Sequence, residues 1–178
     1  MNNALFLDRD GVINYPIIRS NKPYAPNNLD ELKIIPEIKH VINKFKKKGF
    51  KIFVITNQPD VSRGKADIEN IKQINFFIQE ILDIDYFFVC FHDDIDNCDC
   101  RKPKPGAFFI LKEKFNIDLG KSVMIGDRYK DIEAATNAGC PSIFIDYDYD
   151  EKKPTTQFKT INCIGALLQT LEDYYEES

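Results

Sequence analysis

The sequence predicts an α/β fold, a Rossmann-like parallel sheet with helices on both faces. Three observations predict it. Short apolar runs alternate along the chain with longer stretches whose apolar residues recur at helical spacing. The runs are continuously apolar, as in strands covered on both sides, rather than alternating apolar with polar. Polar residues capable of chemistry stand at or just beyond four of the five runs, and such sheets bind ligands beyond the C-terminal ends of their strands.

Taken in order, Ala4-Leu5-Phe6-Leu7 is too short for a helix and reads as a buried strand. Residues 14–35 carry Pro16, Pro23 and Pro26 and read as an irregular excursion with room for a short strand. Pro36 opens a helix at its first position, where a missing N–H costs nothing; Ile38, Val41, Ile42 and Phe45 form the apolar face, and Gly49 ends it. A β-rich run over 50–55 stops at Thr56-Asn57-Gln58-Pro59. Ile68, Ile71, Ile74, Ile78 and Ile81 mark a helix over about 66–83, and residues 86–90 a third strand. Residues 91–105 are polar and proline-bearing, hence a loop. Ala107, Leu111 and Phe115 mark the next helix, 122–125 a fourth strand, 130–138 a helix closed by Gly139, and 142–145 a fifth strand. Ile164 to Leu171 gives a last amphipathic helix before an acidic end.

The 178 residues suit a single domain, 1–178, with one sizeable core. Apolar residues make up 43% and charged residues 29%, an ordinary globular balance. A formal charge of −4 and a pI of about 5.3 give no basic surface for nucleic acid. No stretch approaches the roughly 20 apolar residues of a membrane span, and Met1-Asn2-Asn3 followed by a run broken at Asp8 does not read as a signal peptide. The expected setting is cytoplasmic, the expected state a monomer, with neither nucleic acid nor membrane as partner. Of the five cysteines, Cys90, Cys98 and Cys100 cluster beside His92 and read as metal ligands before disulfides. Cys140 and Cys163 sit in apolar surroundings and are expected to be buried, inert thiols.

Four segments carry candidate chemistry. In Asp8-Arg9-Asp10-Gly11, two carboxylates spaced i, i+2 can face one side; one can act as nucleophile while the other moves a proton, and glycine permits a close turn. Thr56-Asn57 offers a hydroxyl and a backbone N–H for a phosphoryl oxygen. Arg101-Lys102-Pro103-Lys104-Pro105-Gly106 offers a lysine to offset negative charge. Asp127 follows a strand directly, with Asp131 about one helical turn later, a carboxylate arrangement suited to Mg²⁺. Each alone has an ordinary alternative: a polar turn, a turn pair, a solvated basic loop, and a helix cap with a first-turn acid.

Jointly, Asp8-Arg9-Asp10-Gly11-Val12, Thr56-Asn57-Gln58, Arg101-Lys102-Pro103 and Gly126-Asp127 resemble the four motifs of the haloacid dehalogenase superfamily, over about residues 4–146. The resemblance implies that Asp8 attacks phosphorus to form an aspartyl phosphate, and that Asp10 protonates the leaving oxygen and then activates water. It implies Mg²⁺ held by the Asp8 and Asp127 carboxylates and the Asp10 carbonyl. Thr56 and the Asn57 backbone would hold phosphoryl oxygens, and Lys102 would orient Asp8.

Cys90-x-His92 and Cys98-x-Cys100 supply a Cys₃His set, enough for a closed structural zinc site in the loop 90–100. With four protein ligands no position stays open, so His92 is not expected to be a catalytic base, and His40, off the apolar face of its helix, is a surface residue. This loop resembles two capless phosphatase branches, the D-glycero-D-manno-heptose 1,7-bisphosphate 7-phosphatases and the histidinol-phosphate phosphatases. Asn57-Gln58 followed by Arg63-Gly64, and the Pro-Gly after Lys104, resemble the heptose branch. That branch implies a small phosphorylated sugar as substrate, contacted by Arg63, Arg101 and Lys104, within surface-polysaccharide precursor synthesis. Pro59-Asp60 departs from its usual Ser-Gly and adds negative charge near the entrance. Against these stand phosphate removal from nucleic-acid 3′ ends, a nucleic-acid-binding zinc module, and an inactive zinc-stabilised scaffold. The acidic pI opposes the first two, and the intact set of Asp8, Asp10, Lys102 and Asp127 opposes the third.

Overall fold

The structure is a computed structural model that describes residues 1–177. Six strands form one sheet: β1 (Ala4–Leu7), β4 (Lys51–Asn57), β5 (Tyr86–Cys90), β6 (Val123–Gly126), β7 (Ser142–Ile145) and β8 (Lys159–Ile161). Their spatial order is β5-β4-β1-β6-β7-β8, and every neighbouring pair is parallel. From β1 the chain winds outward through β4 to β5, returns to β6 on the other side of β1, and winds outward again. The strand order thus reverses beside β1, and the crevice at its C-terminal end is where such sheets bind ligands.

Alternation along the strands builds two cores. Leu5 and Leu7, Ile52 and Val54, and Val123 and Ile125 face one side, against α1 (Pro36–Lys47), α2 (Ile68–Leu82) and α5 (Leu167–Glu177). Ala4 and Phe6, Phe53 and Ile55, and Met124 face the other, against α3 (Gly106–Phe115) and α4 (Tyr129–Ala138). Helix ends follow local chemistry. Pro36 is the first residue of α1; the Asp67 side chain accepts from the N–H groups of Glu69 and Asn70 at the start of α2; and Gly139 closes α4 at φ 71°.

Three features differ from the sequence reading. The sheet has a sixth strand, β8, whose Lys159-Thr160-Ile161 buries only Ile161 and so leaves no apolar run to read. Residues 14–35 contain a whole antiparallel hairpin, β2 (Ile17–Arg19) and β3 (Lys22–Tyr24). Its two-residue loop, Ser20-Asn21, has φ of 48° and 56°, the left-handed pair that matches strand twist. Cys140 is buried as expected, but Cys163 is exposed: it precedes the turn Ile164–Ala166 rather than pointing into the core. No helix among the described residues is long and apolar enough to cross a membrane.

Candidate active site

The ends of β1 and β4 and the start of α4 meet at one cleft of about 250 Å³, whose wall includes Asp8, Asp10, Thr56, Asn57, Lys102 and Asp131, while Asp127, which follows β6, is buried next to Asp8 and Asp131 and does not line it. Asp8 leaves β1 with its N–H bonded to the Ile125 carbonyl at 3.0 Å. Beyond it the chain turns back on Arg9, whose carbonyl accepts from the N–H groups of Val12, Ile13 and Asn14; the Gly11 N–H donates to the Asn14 carbonyl. None of these bonds uses the Asp10 carbonyl. Gly11 has φ +92°, and a Cβ there would stand 1.9 Å from Oδ2 of Asp127. Only glycine satisfies both the dihedral and the space.

Lys102 is the electrostatic centre. Its Nζ lies 2.9 Å from Oδ1 of Asp8, 2.6 Å from Oδ1 of Asp131 and 2.6 Å from the Ile55 carbonyl. Burial opposes its charge, but Asp131 and Asp8 more than offset that and hold the ammonium protonated. The Asn57 side chain brackets the Lys102 backbone, donating to its carbonyl at 3.0 Å and accepting its N–H at 3.2 Å. Asp131 also accepts the Arg128 N–H at 3.0 Å, so one carboxylate both caps α4 and pairs with the lysine. Its Cβ sits where a side chain at Gly126 would have to go, 2.3 Å away.

Asp8, Asp127 and Asp131 bring carboxylate oxygens within 4.8 Å of one another, all three residues buried. One ammonium against three carboxylates leaves two negative charges in excess, the charge a divalent cation carries. Burial, then Asp131, pushes the Asp8 carboxyl up to about 7, although Lys102 opposes the shift. Burial, then Asp8, also raises Asp127 far above the ordinary carboxylate range. Neither oxygen of Asp127 has a hydrogen-bond partner of normal geometry; Tyr149 eases its charge only weakly. A buried carboxylate orphaned in this way fits a hard cation such as Mg²⁺. The side chain of Asp10 stands apart from this group. It receives Nε and Nη2 of Arg9 at 3.0–3.2 Å, Nδ2 of Asn14 at 2.9 Å and Nε2 of Gln58 at 2.9 Å.

Cys90, His92, Cys98 and Cys100 converge as the sequence predicts. Bonds of about 2.3 Å to sulfur and 2.0–2.1 Å to nitrogen give a tetrahedron with edges of about 3.8 Å between sulfurs and about 3.6 Å from sulfur to nitrogen. The Sγ atoms lie 3.5, 3.6 and 3.7 Å apart, and Nδ1 of His92 is 3.6 Å from both Cys90 and Cys100. The loop is thus dimensioned for one zinc ion. Burial pushes the Cys90 thiol up to about 12, a cost that a dication among the sulfurs reverses. Cys90 is paired with Asn57 across the sheet, and its carbonyl accepts the Gln58 N–H at 2.8 Å.

The structure places the three expected substrate cations differently. Arg63 lines the cleft but is clamped by Asp93, Nε to Oδ2 at 2.7 Å and Nη2 to Oδ1 at 2.5 Å, with Asp60 at 3.3 Å. Arg101 and Lys104 do not line it. Arg101 is buried with Nε on Asp94 at 2.7 Å, and Lys104 turns back onto Asn97 at 2.8 Å. Both fasten the zinc loop because that loop supplies their carboxylate and amide partners. The cleft instead includes Lys22, Arg128 and Lys130, which sequence reasoning missed. It also missed Arg9, which is fully buried, and Asn75, whose Oδ1 accepts Nη1 of Arg9 at 2.8 Å. A signal for Asn75 existed: it falls between Ile71 and Ile78 on the apolar face of α2, where a polar residue needs a partner. His40 is exposed, as expected.

Comparison with known proteins gives the same picture. The family model for haloacid dehalogenase-like hydrolases matches residues 4–139. The D-glycero-beta-D-manno-heptose-1,7-bisphosphate 7-phosphatase of Helicobacter pylori is 34% identical over 143 residues, 77% of this chain and 79% of the relative. The D-glycero-alpha-D-manno-heptose-1,7-bisphosphate 7-phosphatase of Campylobacter jejuni is 30% identical over 175 residues, 96% of each chain. The fold is shared with the crystal structure of D,D-heptose 1,7-bisphosphate phosphatase from B. bronchiseptica complexed with magnesium and phosphate, at TM-score 0.80 and 24% identity over 97% of this chain and 99% of that one. A parallel sheet whose strand ends hold a lysine-paired aspartate and an orphaned second aspartate, together with this match over most of the chain, makes the protein a member of the haloacid dehalogenase-like hydrolases, and a phosphatase among them.

Proposed function

We propose that the protein removes the 7-phosphate from D-glycero-D-manno-heptose 1,7-bisphosphate through an aspartyl-phosphate intermediate. The observation that supports this most is the Asp8–Lys102–Asp131 arrangement beside the orphaned Asp127, in a chain similar along 96% of its length to a heptose bisphosphate phosphatase. Asp8 attacks phosphorus in line, and the bond from phosphorus to the ester oxygen breaks. Asp10 delivers its proton to that leaving oxygen. Asp10 then takes a proton from water as the water attacks phosphorus and frees Asp8. Three donors, from Arg9, Asn14 and Gln58, fix the direction of Asp10 for both transfers. Gln58 also donates to Oγ1 of Thr56 at 2.9 Å, which aligns the hydroxyl with the phosphoryl site.

The Asp8 and Asp127 carboxylates and the Asp10 carbonyl would hold Mg²⁺, which when bound offsets the repulsion between anionic nucleophile and anionic ester. The Cys90, His92, Cys98 and Cys100 set would hold a structural zinc ion. Lys102 opposes protonation of Asp8 and aims it, and Asn57 keeps Lys102 in place. The test is phosphate release with Mg²⁺ from both anomers of the heptose bisphosphate and from histidinol phosphate. Preference for one heptose anomer is the expected result and assigns the anomer; preference for histidinol phosphate overturns the sugar reading.

A further inference from the structure

The cleft wall carries five cations, Lys22, Arg63, Lys102, Arg128 and Lys130, and they are not equivalent. Lys102 is committed to Asp8, Asp131 and the Ile55 carbonyl. Arg63 has all its nitrogens on Asp93 and Asp60. Arg128 presents Nε and Nη2 to Glu151, with Nε 2.7 Å from Oε2. A guanidinium already closed on a carboxylate presents an incoming dianion with little net charge. The side chains of Lys22 and Lys130 alone among the five make no hydrogen bond or ion pair with the described residues; Nζ of Lys130 lies over the Tyr129 ring, 6.0 Å from its centroid. Asp94 lies within Coulomb reach of Lys130, but its hydrogen bond goes to Arg101.

The two lysines belong to one connected rim. Lys22 follows Asn21 in the hairpin; Nδ2 of Asn21 donates to the Asp148 carbonyl at 3.2 Å, and the Asn21 carbonyl accepts the Asp150 N–H at 3.2 Å. The next residue, Glu151, pairs with Arg128, two positions before Lys130 on α4. The hairpin and the N-terminal turn of α4 are thus joined through residues 148–151, with an ammonium to spare on each.

We infer that Lys22 and Lys130 hold the second, non-reacting phosphate of a sugar bisphosphate, and that Arg63 and Arg101 instead stiffen the zinc loop. This rests on the sugar-bisphosphate reading above. The lysines act by position and charge, remote from the reacting phosphorus. Their loss therefore shows in substrate binding rather than in turnover.

The experiment compares wild type, Lys22→Gln, Lys130→Gln, Lys130→Arg and Arg63→Gln, each with Mg²⁺ and retained zinc. The probes are D-glycero-β-D-manno-heptose 1,7-bisphosphate, its α-anomer, heptose 7-phosphate and p-nitrophenyl phosphate. Each glutamine variant at a lysine is expected to raise KM for the bisphosphate about tenfold, the factor for one charge-assisted hydrogen bond. The kcat for the bisphosphate and the kcat/KM for both monophosphates stay as in wild type, and Lys130→Arg keeps most of the affinity. Unchanged KM in both lysine variants, or an equal loss on mono- and bisphosphates, overturns the assignment. So does a wild type that binds the bisphosphate no more tightly than heptose 7-phosphate. Affinity is read as an inhibition constant against p-nitrophenyl phosphate when the bisphosphate is not turned over. Tight, lysine-dependent inhibition without turnover therefore keeps the lysine assignment and rejects the heptose substrate.

Discussion

Replacing Asp8 by asparagine is expected to make the metal-free protein more stable while abolishing turnover. In the wild type, burial and Asp131 push the Asp8 carboxyl from 3.8 up to about 7. The folded state therefore binds a proton that the unfolded chain has already released. This costs nothing below about pH 4, grows as pH rises to about 7, and persists in full above that. At about 1.4 kcal/mol per unit, the cost at pH 8 is on the order of 4 kcal/mol. Asparagine removes this cost, and the attraction to Lys102 that it also gives up is already counted in the net shift. A gain of up to about 4 kcal/mol corresponds to a Tm higher by about 8–16 °C in a domain of this size. Thermal melts at pH 8 in magnesium-free buffer test it, with chelator omitted so that zinc stays bound. The advantage should shrink at pH 5, and Mg²⁺ should raise the wild-type Tm more at pH 8 than at pH 5. A variant that melts below wild type at pH 8 without magnesium, or a gap that does not narrow at pH 5, refutes the reasoning.

Asp10→Asn should have the opposite effect on stability. Arg9 is fully buried with Asp10 as its only ion-pair partner among the described residues, so neutralising Asp10 strands a buried guanidinium at a cost of about 3 kcal/mol; melts of the two variants side by side check the sign, and equal stability would count against it. Cys98→Ser should lower zinc content and bring Tm down by at least about 5 °C, with activity lost in step; a variant that keeps stoichiometric zinc by metal analysis shows the ligand set to be wrong.

Most of the sheet was legible because the strands of a helix-covered parallel sheet keep a continuous apolar run, and β1, β4, β5, β6 and β7 each contain one. The hairpin and β8 were not, since Lys22-Pro23-Tyr24 and Lys159-Thr160-Ile161 bury too little to leave a pattern. The same limit applies to the site. Asp8, Lys102 and Asp127 stand at the strand ends and loop that the motifs mark, and spacing marks Asp131 after Asp127, but the pairing of Asp131 with Lys102 and the burial of Arg9 appear only in the fold. Charge type alone does not show how these cations are paired: Arg63 and Arg101 look free in sequence, and only the folded zinc loop shows Asp93 and Asp94 against them.

The zinc loop has a physical reason to exist beside this lysine. Residues 91–105 hold only two large apolar side chains, Phe91 and Ile95, and Ile95 is 91% exposed. A segment that buries so little cannot be ordered by the hydrophobic core. Yet Lys102 must reach from this loop to Asp8 within 2.9 Å, and an error of 1 Å there would disengage it. Fixing comes instead from polar and metal-ligating groups. Cys90 anchors the loop to the sheet beside Asn57, the Arg63–Asp93 and Arg101–Asp94 pairs brace its middle, and Asn57 clasps the Lys102 backbone. A metal held by the four Cys and His side chains adds the binding free energy that the missing core would otherwise supply. A zinc ion held there would bear on catalysis without touching the substrate, through the position of one ammonium group.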